Sequence, residues 1–100
     1  MAKTNETIIS EIKTFIAKWG GRYIDWYVGI ASDPRQRLFN DHNVNEKIDG
    51  WIFREALNSE SARSLEDYFI NILKTDGGSG GGDYTTTFVY AYKKANHTKE

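Results

Sequence analysis

The sequence predicts a small α+β domain in which helices flank a three-stranded sheet. Three observations carry that expectation. Apolar residues recur at helical spacing over 5–19 and again over 58–74. Three stretches, 22–30, 51–56 and 84–92, are dense in β-branched and aromatic residues. The connection across Arg35–Gly50 is irregular. Strict alternation of helix and strand would also fit a parallel α/β sheet, but three strands are few for one.

Each element has its own signal. Ile8, Ile9, Ile12, Phe15, Ile16 and Trp19 fall on one face of a first helix, which Gly20-Gly21 ends. The first strand follows over 22–30. Asp33 is placed to accept from the free amides of a helix, and Pro34 suits its first position, so a short helix runs from Pro34 to about Asn40. Residues 43–50 are polar and turn-like, and 51–56 form the second strand. Asn58-Ser59 caps a helix over which Ala62, Leu65, Phe69, Ile72 and Leu73 recur at helical spacing to about Lys74. Asp76–Asp83, nearly all glycine, reads as a flexible loop. Residues 84–92 make the clearest strand, and the polar tail 93–100 is expected to fray.

Composition narrows the function classes. One hundred residues are one domain, and 14% aromatics supply large buried areas to a thin core. Without cysteine, disulfides and thiolate metal sites are excluded. No run approaches the roughly 20 apolar residues of a membrane span, and the first residues lack a signal peptide's apolar core, so a cytoplasmic protein is expected. The net charge of −1 means that any grip on nucleic-acid phosphates must be local or assisted by a metal ion.

Chemistry concentrates in Tyr27–Leu38. A strand reaches Gly29, where the backbone can be approached closely, and a capped helix then presents Arg37. Arg37 lies ten residues after Tyr27, a distance over which a strand-to-helix turn brings both into one cleft. A guanidinium holds phosphoryl oxygens through its planar fork and eases loss of a neighbouring phenol proton. Simpler roles exist for each: a half-buried strand aromatic for Tyr27, a pair with Asp33 or Asp41 for Arg37. Glu66 lies at the edge of its helix's apolar stripe, between Ala62, Phe69 and Leu73, so its carboxylate needs a partner or a cation. Arg63, three residues earlier, is the simpler partner.

The stretch WYVGIASDPRQRL resembles the second half of the GIY-YIG nuclease motif: tyrosine, a β-branched residue, glycine, a small residue, a polar cap, then Arg-Leu on a helix. Leu65-Glu66-Asp67 resembles the family's helical glutamate, its single protein ligand to a divalent metal, and the likeness spans about residues 23–73. It implies a GIY-YIG-like fold and a metal-dependent endonuclease that hydrolyses nucleic-acid phosphodiesters, DNA foremost. In that scheme Tyr27 helps deprotonate water, Arg37 stabilises charge on phosphorus, and Glu66 holds Mg²⁺ or Mn²⁺. Arg35 and Gly29 are the expected substrate contacts. Nucleic acid is the expected partner, together with a second copy of the chain or an attached targeting subunit.

Two departures bear on this resemblance. The family's first strand, Gly-Ile-Tyr, is missing from its usual place, which the first helix occupies. Tyr23 is one stand-in for its catalytic tyrosine, although it precedes Tyr27 by only four residues. Alternatively, strand 84–92 takes that place beside strand 22–30, and Tyr90 or Tyr92 supplies the phenol. Many members also carry a catalytic histidine one helical turn after the arginine. Asp41 stands there and His42 follows it, about 140° around an α-helix from Arg37. His42 is a candidate catalytic or phosphate-binding residue if that helix ends early. His97, in the tail, is expected to be idle. Against the enzyme stand two other readings: a degenerate module of the same fold that binds nucleic acid or a protein, and an unrelated α+β domain.

Overall fold

The structure, a computed structural model, describes residues 2–78 and 83–100. Helix α1 (Asn5–Trp19) starts at Thr4, whose hydroxyl accepts from the Thr7 amide at 3.3 Å, and stops at Gly20 with φ +114°. Gly21 also has φ +92°, and its turn leads into a single 3₁₀ turn, Tyr23–Asp25. There the Asp25 carboxylate accepts from the Arg22 amide at 2.9 Å. The strand expected from residue 22 therefore begins only at Trp26, as β1 (Trp26–Ala31). Local capping outcompetes strand propensity at that end.

Strand β2 (Trp51–Glu55) follows, and Ala56 continues it only as a bridge to Lys3. Helix α2 (Ser59–Asp67) starts on Asn58, whose side chain accepts from the Ser61 amide at 2.8 Å. The predicted helix does not stay α-helical to Lys74: Tyr68–Ile72 widens to π-type winding. Strand β3 (Phe88–Lys93) begins four residues later than expected. Its threonines are used instead in a turn, where the Asp83 carboxylate accepts from the Thr85 amide at 2.9 Å and the Asp83 amide donates to the Thr86 hydroxyl at 3.2 Å.

The sheet is antiparallel throughout, in the order β1-β3-β2, so the last strand in sequence is the central one. This excludes the parallel alternative. Tyr92 stands opposite Tyr27, while Tyr90 faces Gly29 on one side and Phe53 on the other. Strand alternation then sorts the core. Trp26, Val28, Ile52, Val89 and Ala91 face α1 and α2 in one apolar cluster. Tyr27, Tyr90 and Tyr92 face the opposite side, with Leu38 and Val44 over them.

One further expectation needs correction. The tail does not fray: the Lys99 amide donates to the His42 carbonyl at 2.8 Å, and the Asn43 side chain donates to the His97 carbonyl at 2.9 Å. His97 pairs with Asp49, at 2.5 Å. The glycine-rich loop, expected over 76–83, lies outside the described residues at 79–82. Its first residue is ordered against the outer edge of β1, where Asp76 exchanges hydrogen bonds with Trp26 and Val28 at 2.8 and 2.9 Å. Among the described residues no helix is long and apolar enough to cross a membrane.

Candidate active site

A cleft of about 400 Å³ opens beside the second half of β1. Tyr27, Gly29, Arg37, Glu66 and Tyr90 all line it. Those residues come from β1, β3, α2 and the turn after Pro34, so the cleft is made where four elements meet. Val28 and Trp26 bond outward to Asp76, and alternation turns the N–H of Ile30 to the same edge. Ile30 itself lines the cleft, and no described residue bonds its amide at that edge.

Arg37 is delivered by a turn of unusual pitch. Asp33 starts it as expected, its carboxylate accepting from the Gln36 amide at 3.1 Å. The winding over Gln36–Asp41 is then π-type, and the His42 amide donates to the Arg37 carbonyl at 2.8 Å, an i→i+5 bond. The extra residue places His42 one full turn beyond Arg37, where an α-helix would have placed Asp41. Such π-type turns cluster at functional sites.

The Nε of Arg37 is buried and 3.1 Å from Asp41 Oδ2, an ion-pair distance. Its N–H is not aligned on that carboxylate, so this donor lacks a hydrogen bond within the described residues. Of the two carboxylates weighed as simple partners for Arg37, Asp41 is the one engaged.

His42 is buried beneath the cleft at 3% exposure. Its Nδ1 lies 2.6 Å from the Lys99 carbonyl oxygen, and its Nε2 lies 2.7 Å from the Tyr90 hydroxyl. A carbonyl only accepts, so Nδ1 carries the proton and Nε2 accepts from Tyr90. Burial lowers the His42 pKa, a shift the Lys99 carbonyl opposes and the nearby Arg37 charge reinforces. The imidazole is therefore neutral near pH 7.

Tyr90 is 1% exposed, and burial raises its pKa strongly, with Arg37 pulling the other way. Tyr27 stacks on Tyr92 at 5.3 Å between ring centres and reaches the cleft with its hydroxyl, which the Gly78 amide contacts. Burial raises the Tyr27 pKa, again against Arg37. Gly29 is close-approached as predicted, but by protein: a Cβ there would sit 2.5 Å from the Tyr90 oxygen.

Glu66 is 8% exposed and makes no hydrogen bond or ion pair with any described residue. Burial raises its pKa to about 7, with Arg63 lowering it and Asp67 raising it. The pair with Arg63 does not form. A buried carboxylate at a cleft wall, with no hydrogen bond among the described residues, fits a divalent cation, which would supply a close counter-charge. Among the described residues no three His, Asp or Glu side chains converge as a metal cage. One carboxylate completed by water and substrate phosphate is the arrangement that suits Mg²⁺.

Two of the sequence-stated candidates lie elsewhere. Tyr23 packs half-buried against the helix-side core, across the sheet from the cleft. Arg35 points away: it pairs with Glu46 at 2.6 Å and covers the rings of Phe39 and Trp51. The features the sequence did not signal are the π winding and the Lys99 carbonyl. Backbone groups leave no mark in side-chain identity.

No family model matches the chain, and no curated protein and no solved structure matches it.

Proposed function

We propose that this chain is a metal-dependent endonuclease of GIY-YIG type that hydrolyses nucleic-acid phosphodiesters, with DNA as the foremost substrate. The observation that carries the reading is the convergence of Tyr27, Tyr90, Arg37 and Glu66 on one cleft from four separate elements. Two further features support it. The central strand β3 lies beside β1 and offers Tyr90 where the family's Gly-Ile-Tyr strand would offer its tyrosine, a permuted arrangement. The π turn restores to His42 the one-turn relation to the arginine that its sequence position had denied it.

The chain's own groups divide the work. Arg37 and the Ile30 amide bind phosphoryl oxygens, and the guanidinium stabilises the charge that grows on them in the transition state. Tyr90 takes a proton from water while passing its own to His42 Nε2. The resulting hydroxide forms the new P–O bond as the bond to the leaving oxygen breaks. His42 then returns its proton to the Tyr90 oxygen, Tyr90 gives its own to solvent in the cleft, and the leaving oxygen takes one from solvent. Tyr27, expected to act as the base, is better placed to orient the water, because only Tyr90 has an acceptor at 2.7 Å for its proton. Glu66 would hold Mg²⁺ or Mn²⁺, which supplies Lewis-acid stabilisation of phosphate oxygens.

The test is nicking of supercoiled plasmid and branched DNA with Mg²⁺ or Mn²⁺, with Glu66→Ala as the control. Wild type should cut, and the folded variant should not. A folded wild-type chain that leaves every substrate intact with every divalent cation sinks the reading. If that inert chain still retards DNA in a gel, it is a nucleic-acid-binding module on this fold.

A further inference from the structure

We propose that residues 97–100 are a positioning element of the site, in which the Lys99 backbone carbonyl fixes the tautomer of His42 and so keeps Nε2 an acceptor for Tyr90. This deepens the hydrolase reading and rests on it for its kinetic consequence. The tautomer itself does not depend on that reading.

The observations are geometric. Lys99 and His42 are joined twice: the Lys99 amide donates to the His42 carbonyl at 2.8 Å, and the Lys99 carbonyl accepts from His42 Nδ1 at 2.6 Å. The same carbonyl oxygen lies 3.2 Å from the Tyr92 hydroxyl, which is also 3.2 Å from His42 Nδ1. The segment is held by its own turn, in which the Ala95 amide donates to the Thr98 hydroxyl at 2.9 Å, and by Asn43 on the His97 carbonyl. His97 Nε2 and Asp49 Oδ2, 2.5 Å apart, tie the segment to the 43–50 turn.

A neutral imidazole has two tautomers of similar energy in water, and its partners choose between them. With a carbonyl at Nδ1, the Nδ1–H form keeps two hydrogen bonds. The other form would set a bare nitrogen against a carbonyl oxygen and point Nε2–H at a hydroxyl. Removing the carbonyl therefore releases the choice, and Tyr90 loses a dependable proton acceptor. The Lys99 side chain has no part in this.

The test reads the His42 ring nitrogens by ¹⁵N NMR in the full-length chain. Wild type should show Nδ1 protonated and Nε2 bare. Lys99→Pro removes the amide that ties the tail to the His42 carbonyl, and it should give mixed tautomers. Lys99→Ala keeps the backbone bonds and should match wild type. If Lys99→Pro fails to fold, Asn43→Gly combined with Thr98→Ala loosens the tail by another route and decides the matter. Cleavage by the undocked variant should fall roughly tenfold or more in kcat with KM little changed, the scale of losing an orienting partner. A folded undocked variant whose His42 still shows the pure Nδ1–H pattern overturns the proposal. Absence of cleavage by wild type would instead count against the hydrolase reading, with the tautomer result still valid.

Discussion

The Tyr90 hydroxyl lies 2.7 Å from His42 Nε2, and the two residues, 48 apart in the chain, form one buried pair under the cleft. Tyr90 stands on the central strand, and His42 ends the π turn that carries Arg37. The phenol has a destination for its proton only because these two elements face each other across the same side of the sheet.

Tyr90→Phe removes that hydroxyl and leaves His42 Nε2 buried without a donor. Nicking should fall by roughly a hundredfold or more, and stability by about 1–3 kcal/mol in denaturant unfolding. The neutral imidazole also sets the acid limit: because burial depresses the folded pKa of His42, the unfolded chain binds the proton first. Stability from this group is present above the ordinary histidine pKa and is lost as pH falls through the lower, folded value. A cleavage rate that persists in Tyr90→Phe would remove Tyr90 from the mechanism.

Glu66 titrates in the opposite sense. Its folded pKa of about 7 stands above that of an unfolded glutamate, so the native state holds the proton longer. Stability should decline between about pH 4.5 and about pH 7 as the buried carboxylate ionises. Glu66→Gln should abolish that decline and melt higher than wild type at pH 8 in the absence of divalent cations. Adding Mg²⁺ should raise the melting temperature of wild type at pH 8 and leave the Gln variant unmoved. Equal responses of the two proteins would show that the cation, if bound, is not at Glu66.

The two arginines near the motif separate cleanly. Arg37 lines the cleft, whereas Arg35 lies over Phe39 and Trp51 in a pair with Glu46. Arg37→Lys keeps the charge but loses the planar fork, and nicking should drop by roughly a hundredfold or more. Arg35→Ala should change nicking less than about threefold and cost at most about 1 kcal/mol of stability. Similar losses in both variants would mean that the substrate path runs over Arg35 as well.

Gly29 tests the packing that holds the pair together. A methyl there meets the Tyr90 oxygen at 2.5 Å and its Cζ at 2.6 Å, on a ring already pinned by His42. Gly29→Ala should therefore cost about 1–3 kcal/mol and displace Tyr90 from His42. Circular dichroism and denaturant unfolding measure the first effect. Loss of the His42 ring's hydrogen-bonded signature measures the second. An unperturbed, fully stable variant would contradict the close approach.

Much of the frame is legible in the sequence because its causes are local. The apolar face of α1, the Gly20 stop, the Asp33 and Asn58 caps and the strand cores of Tyr27, Phe53 and Tyr90 all follow from residue type and spacing. Glu66 was marked by its position at the edge of an apolar stripe. Strand ends depart from the propensity pattern where side chains have a second use: Asp25 and Asp83 draw Arg22 and Thr85 into turns. Tyr23, a stand-in for the missing tyrosine despite its short spacing from Tyr27, is put by the 3₁₀ turn against the opposite side of the sheet.

The sequence by itself determined the helices, the strand cores, their caps and the stock of phenol, guanidinium, imidazole and carboxylate. Tertiary structure decided which of these meet. It set the order β1-β3-β2, which brings Tyr90 beside Gly29, and it wound the turn after Pro34 widely enough to bring His42 beneath Arg37. It also docked Lys99 on the imidazole. Helix and turn propensities act over a few neighbouring residues, whereas strand order and buried hydrogen bonds between distant residues depend on how the whole core packs.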